Sequence, residues 1–241
     1  MASFKIILVT GSSSGIGLCV SRFLIENGYK LVLVDRNNEK LEELKADYKQ
    51  AVLKTYSVDL CQFEQINALF DDLNANQIKL DGLVHCAGVE GSLSPVRLIK
   101  HDYLDLLMKL HYEAFVEMGR LFYKKNASND GASMIAMSSL ASIMCTPNSI
   151  DYSASKAALN AAIKVMSKEF LKRNIRVNGI MPANVNTPMC KNLDSFTDIK
   201  AIQALGFIEP IDIAYLIEFL LSDKSKYITG ALIPVSAGMN Y

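Results

Sequence analysis

The sequence has few residues of the kinds that build metal sites or disulfide frameworks. Its 241 residues include no tryptophan and only three histidines, His85, His101 and His111, which lack metal-ligand spacing. The five cysteines are odd in number, scattered and never spaced as Cys-x-x-Cys: Cys19, Cys61, Cys86, Cys145 and Cys190. This pattern argues against a disulfide framework or a zinc site. We therefore expect reduced, core-type thiols and no bound metal.

The sequence also lacks an excess of either charge and lacks a membrane-spanning apolar run. Lys plus Arg number 25, as do Asp plus Glu, so no overall field favours nucleic acid or an anionic membrane. The N-terminus continues directly into the apolar run from Lys5 to Val9. It has no basic start, long apolar segment and small-residue cleavage site, so the sequence predicts no signal peptide. We expect a cytoplasmic protein with a small-molecule ligand and neither a nucleic-acid nor a membrane partner.

Short apolar runs alternate with longer segments of helical periodicity, which is the order that a parallel sheet flanked by helices produces. Half of the residues are hydrophobic, enough to bury a sizeable core in one domain spanning 1–241. The sequence predicts an α/β fold, a doubly wound Rossmann-type parallel sheet of about seven strands with helices on both faces. The predicted strands cover 6–9, 31–34, 52–58, 83–86, 133–137, 175–180 and 232–235.

The helices are predicted from apolar residues spaced three and four apart. Leu41 and Leu44 mark one helix, and Phe63, Ile66 and Phe70 mark the next. Longer segments of the same periodicity predict helices at about 102–125, 152–171 and 211–221.

A glycine-rich segment, Thr10 to Gly17, lies directly between the first predicted strand and an apolar helix. Glycines allow a tight turn and let a helix N-terminus present its N–H groups to a pyrophosphate. The nucleotide-triphosphate loop is excluded because Leu18 and Cys19, rather than Lys and Ser or Thr, follow Gly17. A purely structural turn remains an alternative to dinucleotide binding. The candidate cofactor residues here are Gly11, Ser13, Ser14, Gly15, Ile16 and Gly17.

Asp35 ends the second predicted strand, 18 residues after Gly17. A carboxylate at this place accepts hydrogen bonds from the hydroxyls of an adenosine ribose and repels a 2′-phosphate. NAD is therefore the preferred cofactor. The adjacent Arg36 keeps NADP open, because its guanidinium would pair with that phosphate if Asp35 turned away. A helix-capping or turn carboxylate is the structural alternative for Asp35.

Tyr152 and Lys156 lie four residues apart at the start of a predicted alanine-rich helix, so they share one helix face. A tyrosine with its ordinary pKa near 10 needs a nearby cation to act as an acid or base at neutral pH. Lys156 offers that cation, although this spacing also occurs by chance on surface helices. Ser139 follows the strand predicted at 133–137, at the edge where parallel sheets bind ligands.

Together these segments resemble the short-chain dehydrogenase/reductase family, in its short single-domain form, over nearly the whole chain. The resemblance implies that Tyr152 is the general acid or base, that Ser139 holds the substrate oxygen, and that Lys156 both lowers the pKa of Tyr152 and binds the nicotinamide ribose. It further implies cofactor contacts from Asp59, Leu60, Cys86, Ala87, Gly88, Val185 and Thr187, besides Tyr152 and Lys156.

Three positions depart from the family pattern. Cys86 replaces an asparagine that bonds neighbouring backbone, and a thiol is a weaker substitute. His111 stands where the family commonly has an asparagine that holds a proton-relay water. Imidazole also bonds water, so we expect His111 to serve catalysis, the alternative being a helix-packing histidine. Ala183 replaces a glycine after Pro182, which is tolerated unless that position needs a positive φ.

The resemblance also implies the substrate and the assembly. It predicts oxidation or reduction between a ketone and a secondary alcohol, with 3-oxoacyl thioester reductases as the nearest general likeness. A small ketone, a sugar-like alcohol or a biosynthetic intermediate is equally open as the substrate. The segment at about 187–208 is expected to be a lid over the substrate, and the chain a homodimer or homotetramer. Two alternatives stay open, a catalytically weak nucleotide sensor or interaction protein and a sugar-nucleotide epimerase or dehydratase. The latter usually carries an additional C-terminal region.

Overall fold

The computed structural model describes residues 5–193 and 199–240. Its centre is a seven-stranded sheet in which every neighbouring pair is parallel, with the order β3-β2-β1-β4-β5-β6-β7. The strands are β1 Ile6–Thr10, β2 Lys30–Asp35, β3 Val52–Ser57, β4 Leu80–His85, β5 Ser128–Met137, β6 Arg176–Pro182 and β7 Leu232–Val235. The predicted doubly wound sheet is confirmed.

All seven predicted strands are present, and the largest difference is at the start of β5. This strand begins at Ser128, five residues before its predicted start at 133. The extension is polar, and the buried Ser128 hydroxyl donates to the Phe122 carbonyl oxygen at 2.6 Å. Arg173 also donates to the Ser128 carbonyl oxygen at 2.7 Å. Polar hydrogen bonds, one of them to a residue distant in sequence, therefore hold the first part of β5, and a hydrophobic pattern does not reveal them.

The helices follow the strands in the predicted alternation. They are α1 Gly15–Glu26, α2 Asn38–Asp47, α3 Phe63–Ala75, α4 His101–Leu107, α5 Ala114–Phe122, α6 Ala141–Met144, α7 Ile150–Glu169, α8 Ile199–Ile202 and α9 Pro210–Leu221. The long helix predicted at 102–125 is confirmed, because the backbone is helical without a break over 101–122. Its middle, Met108–Glu113 between α4 and α5, is π-helical, and such segments are frequent at functional sites.

Helices cover both faces of the sheet, because alternate residues of each buried strand point to opposite sides. On one face, Leu8 packs in a cluster with Phe70 of α3, Phe115 of α5 and Leu159 of α7. On the other face, Ile7 and Val9 pack with residues of α1, α2 and α9 that include Val20, Leu24, Leu41, Ile213 and Ile217. Burial of each such large side chain contributes about 1.5–3 kcal/mol.

The strand order reverses between β1 and β4, which places a crevice at the carboxyl edge of the sheet. Thr10 and His85 are register partners there. Thr10 Oγ1 lies 2.9 Å from His85 Nδ1 and accepts the N–H of Ala87 at 3.2 Å. These bonds fix the two segments that follow β1 and β4, both of which contain predicted cofactor residues.

The five cysteines form no disulfide, but the expectation of core-type thiols is wrong. Cys145 is exposed and the other four are partly buried. Within residues 5–193 and 199–240, no group of three or more His, Cys, Asp and Glu side chains is arranged to hold a metal ion. In the same part of the chain, no helix combines the length and apolar character needed to cross a membrane.

Candidate active site

The turn between β1 and α1 requires its glycines. Gly11 has φ +66°, and a Cβ there would lie 2.8 Å from the Ala87 backbone nitrogen. A Cβ on Gly17 would lie 2.1 Å from the Gly11 carbonyl oxygen, which no real structure tolerates. The turn therefore leaves a cradle of backbone atoms at the N-terminus of α1, where Ser14 is the N-cap residue without a side-chain capping bond. Such a cradle fits a pyrophosphate.

This cradle opens into a groove that holds most of the predicted cofactor residues. The predicted residues that line the groove are Gly11, Ser14, Gly15, Ile16, Gly17, Asp35, Arg36, Leu60, Cys86, Ala87, Gly88 and Thr187. Sequence reasoning missed Val34, Val58, Val89, Leu110, Pro188 and Met189, which also line it. Several of these are apolar and come from the ends of strands or from the loops that follow them, where hydrophobic residues alone predict core rather than a binding surface.

Two predicted cofactor residues, Ser13 and Asp59, line neither this groove nor the cavity described below. Ser13 is 5% exposed and its N–H donates to Asp35 Oδ2 at 3.1 Å. Asp59 Oδ1 accepts the N–H of Cys61 at 3.0 Å, which stabilises the turn before α3. Ser13 is thus buried beneath the rim of the groove, whereas Asp59 is partly exposed.

Asp35 lies at the rim of the groove with its carboxylate held by backbone N–H groups. Oδ2 accepts from Ser13 and Oδ1 from Asn37, both at 3.1 Å. Arg36 is exposed. The negative charge is therefore fixed next to the glycine turn, while Arg36 both lines the groove and is exposed.

Ser139, Tyr152 and Lys156 meet in a second cavity that adjoins the groove. Ser139 follows β5, and the other two lie in the first two turns of α7. All three line the cavity, together with the predicted residues His111, Val185 and Thr187. The Ser139 hydroxyl is hydrogen-bonded to the Tyr152 side chain. Lys156 Nζ donates to the Met137 carbonyl oxygen at 2.8 Å and lies 5.6 Å from the centre of the Tyr152 ring.

Burial dominates the acid–base properties of this cavity. It raises the pKa of Tyr152 to about 12, against the lowering effect of the Ser139 hydrogen bond. It also lowers the pKa of Lys156 to about 7. The expectation that Lys156 depresses the pKa of Tyr152 therefore does not hold for the chain alone, because the lysine is itself desolvated and bonded to Met137. In the chain by itself, Tyr152 is a protonated phenol at neutral pH.

His111 lies in the π-helical segment, fully buried, with both ring nitrogens bonded to protein groups. Nε2 accepts the N–H of Val89 at 3.1 Å, and Nδ1 lies 2.9 Å from Ser155 Oγ. Because Ser155 Oγ donates to the Tyr152 carbonyl oxygen at 2.8 Å, we assign the proton of His111 to Nδ1. Burial, followed by the charge of Lys156, lowers the pKa of His111, so the ring is neutral.

The other two departures from the family pattern have clear local structures. Burial raises the pKa of the Cys86 thiol to about 12, so this residue lines the groove as a neutral group. Ala183 is not among the residues with positive φ, so alanine is compatible with the backbone at that position. The replacement of glycine by alanine therefore causes no strain here.

A third cavity, with a volume of about 590 Å³, extends from Ser139 and Tyr152 towards the surface. Met189, Ala201 and Ile202 of the predicted lid line it, while residues 194–198 of that lid, including Phe196, lie outside the described residues. Much of the remaining wall is apolar, with contributions from Leu93, Leu140, Ala141, Met144 and Met239. A substrate carbonyl next to Ser139 and Tyr152 would place its substituents in this cavity.

Comparison with known proteins assigns nearly the whole chain to one protein family. A family model described as enoyl-(acyl carrier protein) reductase matches residues 11–240. The chain belongs to the short-chain dehydrogenase/reductase family. The resemblance predicted from sequence is thus confirmed, and the chain is an NAD(P)-dependent oxidoreductase that interconverts a ketone and a secondary alcohol.

Individual members of the family are similar over nearly their whole length. The 3-oxoacyl-[acyl-carrier-protein] reductase of Rickettsia prowazekii is 30% identical, with 98% of this chain and 96% of that protein covered. Among solved structures, 4-hydroxyisoleucine dehydrogenase complexed with NADH is 29% identical with a TM-score of 0.89, covering 97% of this chain and 98% of that one. L-Sorbose reductase from Gluconobacter frateurii, complexed with NADPH and L-sorbose, is 27% identical with a TM-score of 0.86, covering 98% and 97%.

Proposed function

We propose that this short-chain dehydrogenase/reductase reduces the ketone of a small 3-oxoacyl thioester or a related carbonyl compound in the cytoplasm. The observation that carries the proposal is the convergence of Ser139, Tyr152 and Lys156 between the glycine-lined groove and the apolar cavity of about 590 Å³. The similar 3-oxoacyl-[acyl-carrier-protein] reductases support the thioester class. An apolar cavity of this size suits an acyl chain.

In the proposed mechanism, Ser139 binds the carbonyl oxygen and Tyr152 protonates it. A bound nicotinamide cofactor would supply the hydride in reduction and accept it in oxidation. The high pKa of Tyr152 keeps its proton in place until negative charge develops on the substrate oxygen. As Tyr152 loses that proton, the phenolate favours the charged form of Lys156, which stabilises it in return. Oxidation of an alcohol follows the same steps in reverse.

We propose that His111 acts as a positioning residue rather than as the holder of a relay water. Its two nitrogens bond Val89 and Ser155, so a neutral imidazole has no acceptor or donor left for water. It joins the loop after β4 to the helix that carries Tyr152. A relay water at this place would have to bond backbone atoms of the π-helical segment instead.

We also propose a homodimer or homotetramer. Val165 of α7 is 54% exposed, and a surface groove between α7 and the helical segment that ends with α5 is lined by Tyr112, Val116, Ala158 and Ala161. Exposed apolar area of this kind favours contact with a second copy through a self-complementary surface.

NAD is the proposed cofactor, on the strength of the carboxylate fixed at the rim of the groove. Replacement of Asp35 by Ala removes the group that would accept the ribose hydroxyls and repel a 2′-phosphate. We expect the ratio of NADPH to NADH dissociation constants to fall by about tenfold, which corresponds to about 1.4 kcal/mol. Fluorescence titration with both cofactors measures it. Asp47→Ala, on the exposed end of α2, is the control, and tighter binding of NADPH by the unmodified protein would contradict the assignment.

A turnover screen tests the proposed function. The panel consists of 3-oxoacyl thioesters, simple ketones and secondary alcohols, each measured with both nicotinamide cofactors. We expect turnover of 3-oxoacyl thioesters above that of unsubstituted ketones. Cofactor binding without turnover of any compound would favour the alternative of a nucleotide sensor.

A further inference from the structure

The loop Gly88–Ser92, which follows β4, forms part of the wall of both the cofactor groove and the substrate cavity. Val89 lines the groove, whereas Glu90 and Gly91 line the cavity of about 590 Å³. A Cβ on Gly91 would lie 2.7 Å from Tyr152 Cβ. The loop backbone therefore packs directly against the residue proposed to transfer the proton.

Three side chains from different helical segments hold this loop. Val89 donates its N–H to His111 Nε2 at 3.1 Å, and the Glu90 carbonyl oxygen accepts from Tyr103 Oη at 2.6 Å. The Ser92 N–H donates to Asp151 Oδ2 at 3.0 Å. Asp151 is 1% exposed, and its other carboxylate oxygen accepts the Tyr152 N–H at 2.7 Å. These bonds hold the backbone of Glu90 in place at the wall of the cavity.

Among the described residues that line the substrate cavity, Glu90 is the one with a charged side chain. Lys156 does not line that cavity: it is 4% exposed, and its Nζ bonds the Met137 carbonyl oxygen. Asp151 lies behind the wall with both oxygens engaged. Burial is the main cause of the raised pKa of Tyr152, and the negative charge of Glu90 raises it further as the smallest of the causes.

A second anion in the same cavity would be repelled. Two like charges about 4 Å apart interact with about 1 kcal/mol in water and about 4 kcal/mol in the reduced dielectric of a protein surface. We propose that Glu90 is a specificity-determining residue, through which the cavity selects carbonyl substrates that are uncharged or carry a cation and rejects those that carry a carboxylate. This inference rests on the proposed function, because it assumes that the reacting carbonyl lies next to Tyr152.

Matched pairs of 3-oxo acids and their methyl esters test the selection. The reacting ketone is the same in each pair, and the two compounds differ in whether a carboxylate is present. We expect the unmodified protein to have a kcat/KM at least about tenfold higher for the ester than for the acid. In Glu90→Gln, which keeps the size of the side chain, this ratio should fall towards one. The control is Glu64→Gln, which removes the same charge from an exposed position in α3.

Binding is measured beside turnover, by calorimetry of the cofactor-loaded protein with each acid and each ester. The proposal is supported if the esters bind more strongly than the acids and if Glu90→Gln, but not Glu64→Gln, reduces this difference in affinity. This result counts even for compounds that are not turned over. The proposal would be overturned if the unmodified protein had equal kcat/KM and equal affinity for acid and ester, or if Glu90→Gln left the ester-to-acid ratios unchanged. Absence of turnover across the whole panel contradicts the proposed function instead, and the binding ratio then decides the role of Glu90 separately.

Discussion

Replacement of Tyr152 by Phe should lower kcat for ketone reduction by about 10²–10⁴-fold, the range that a general acid contributes. The variant keeps the ring, so the contacts of Tyr152 with His111 and Gly91 remain. What is lost is the hydroxyl that bonds Ser139 and carries the proton. Steady-state kinetics at saturating cofactor gives kcat, and a separate fluorescence titration gives the cofactor dissociation constant, which we expect to change little.

The matched control for this variant is Tyr227→Phe. The Tyr227 side chain is 89% exposed, so the loss of its hydroxyl should change neither kcat nor cofactor binding. Turnover by Tyr152→Phe at a rate close to that of the unmodified protein would refute the role of the phenol in proton transfer.

Replacement of Gly17 by Ala should weaken cofactor binding by about 10- to 100-fold. The added Cβ would lie 2.1 Å from the Gly11 carbonyl oxygen, so the turn must move away from α1. Overpacking of this kind costs about 1–3 kcal/mol, and the displaced atoms are those proposed to hold the pyrophosphate. A fluorescence titration with NADH measures the change, and thermal unfolding of the variant without cofactor reports the damage to the fold.

Gly131→Ala is the control that separates a loss of cofactor affinity from a loss of stability. Gly131 lies in an exposed part of β5, with a positive φ and no atom within 4 Å of an added Cβ. This variant should lose some stability and keep its cofactor affinity. Unchanged affinity in Gly17→Ala would mean that the glycine turn is structural, which is the alternative that the sequence leaves open.

The sequence predicts the sheet well because the pattern that identifies a buried parallel strand is local. Apolar runs such as Ile6 to Val9 and Leu31 to Val34 are short, continuous and bounded by polar residues, and each corresponds to a strand. The polar start of β5 at Ser128 is held by Phe122 and Arg173. Because Arg173 is 45 residues away from Ser128, no local pattern predicts this bond.

The part of the site that was predictable from sequence consists of residues whose type and spacing indicate their chemical role. Ser139, Tyr152 and Lys156 are polar residues at recognisable spacing, and they line one cavity. In the loop Gly88–Ser92 only Gly88 was predicted, because the position of the rest depends on Tyr103 and Asp151 from other segments. The raised pKa of Tyr152 was missed for a related reason, since burial depends on the whole fold and here outweighs the proximity of a lysine.

The most direct test of the central claim, that the chain transfers hydride between a nicotinamide and a carbonyl carbon, follows an isotope. Reduced cofactor that carries deuterium at the transferring carbon of the nicotinamide is mixed with the protein and the best ketone of the panel, and the product is analysed by mass spectrometry. The account predicts a secondary alcohol with one deuterium on the former carbonyl carbon, formed mole for mole with oxidised cofactor, and almost none with Tyr152→Phe. Ketone reduction without deuterium at that carbon, or equal yields from the two proteins, would contradict it.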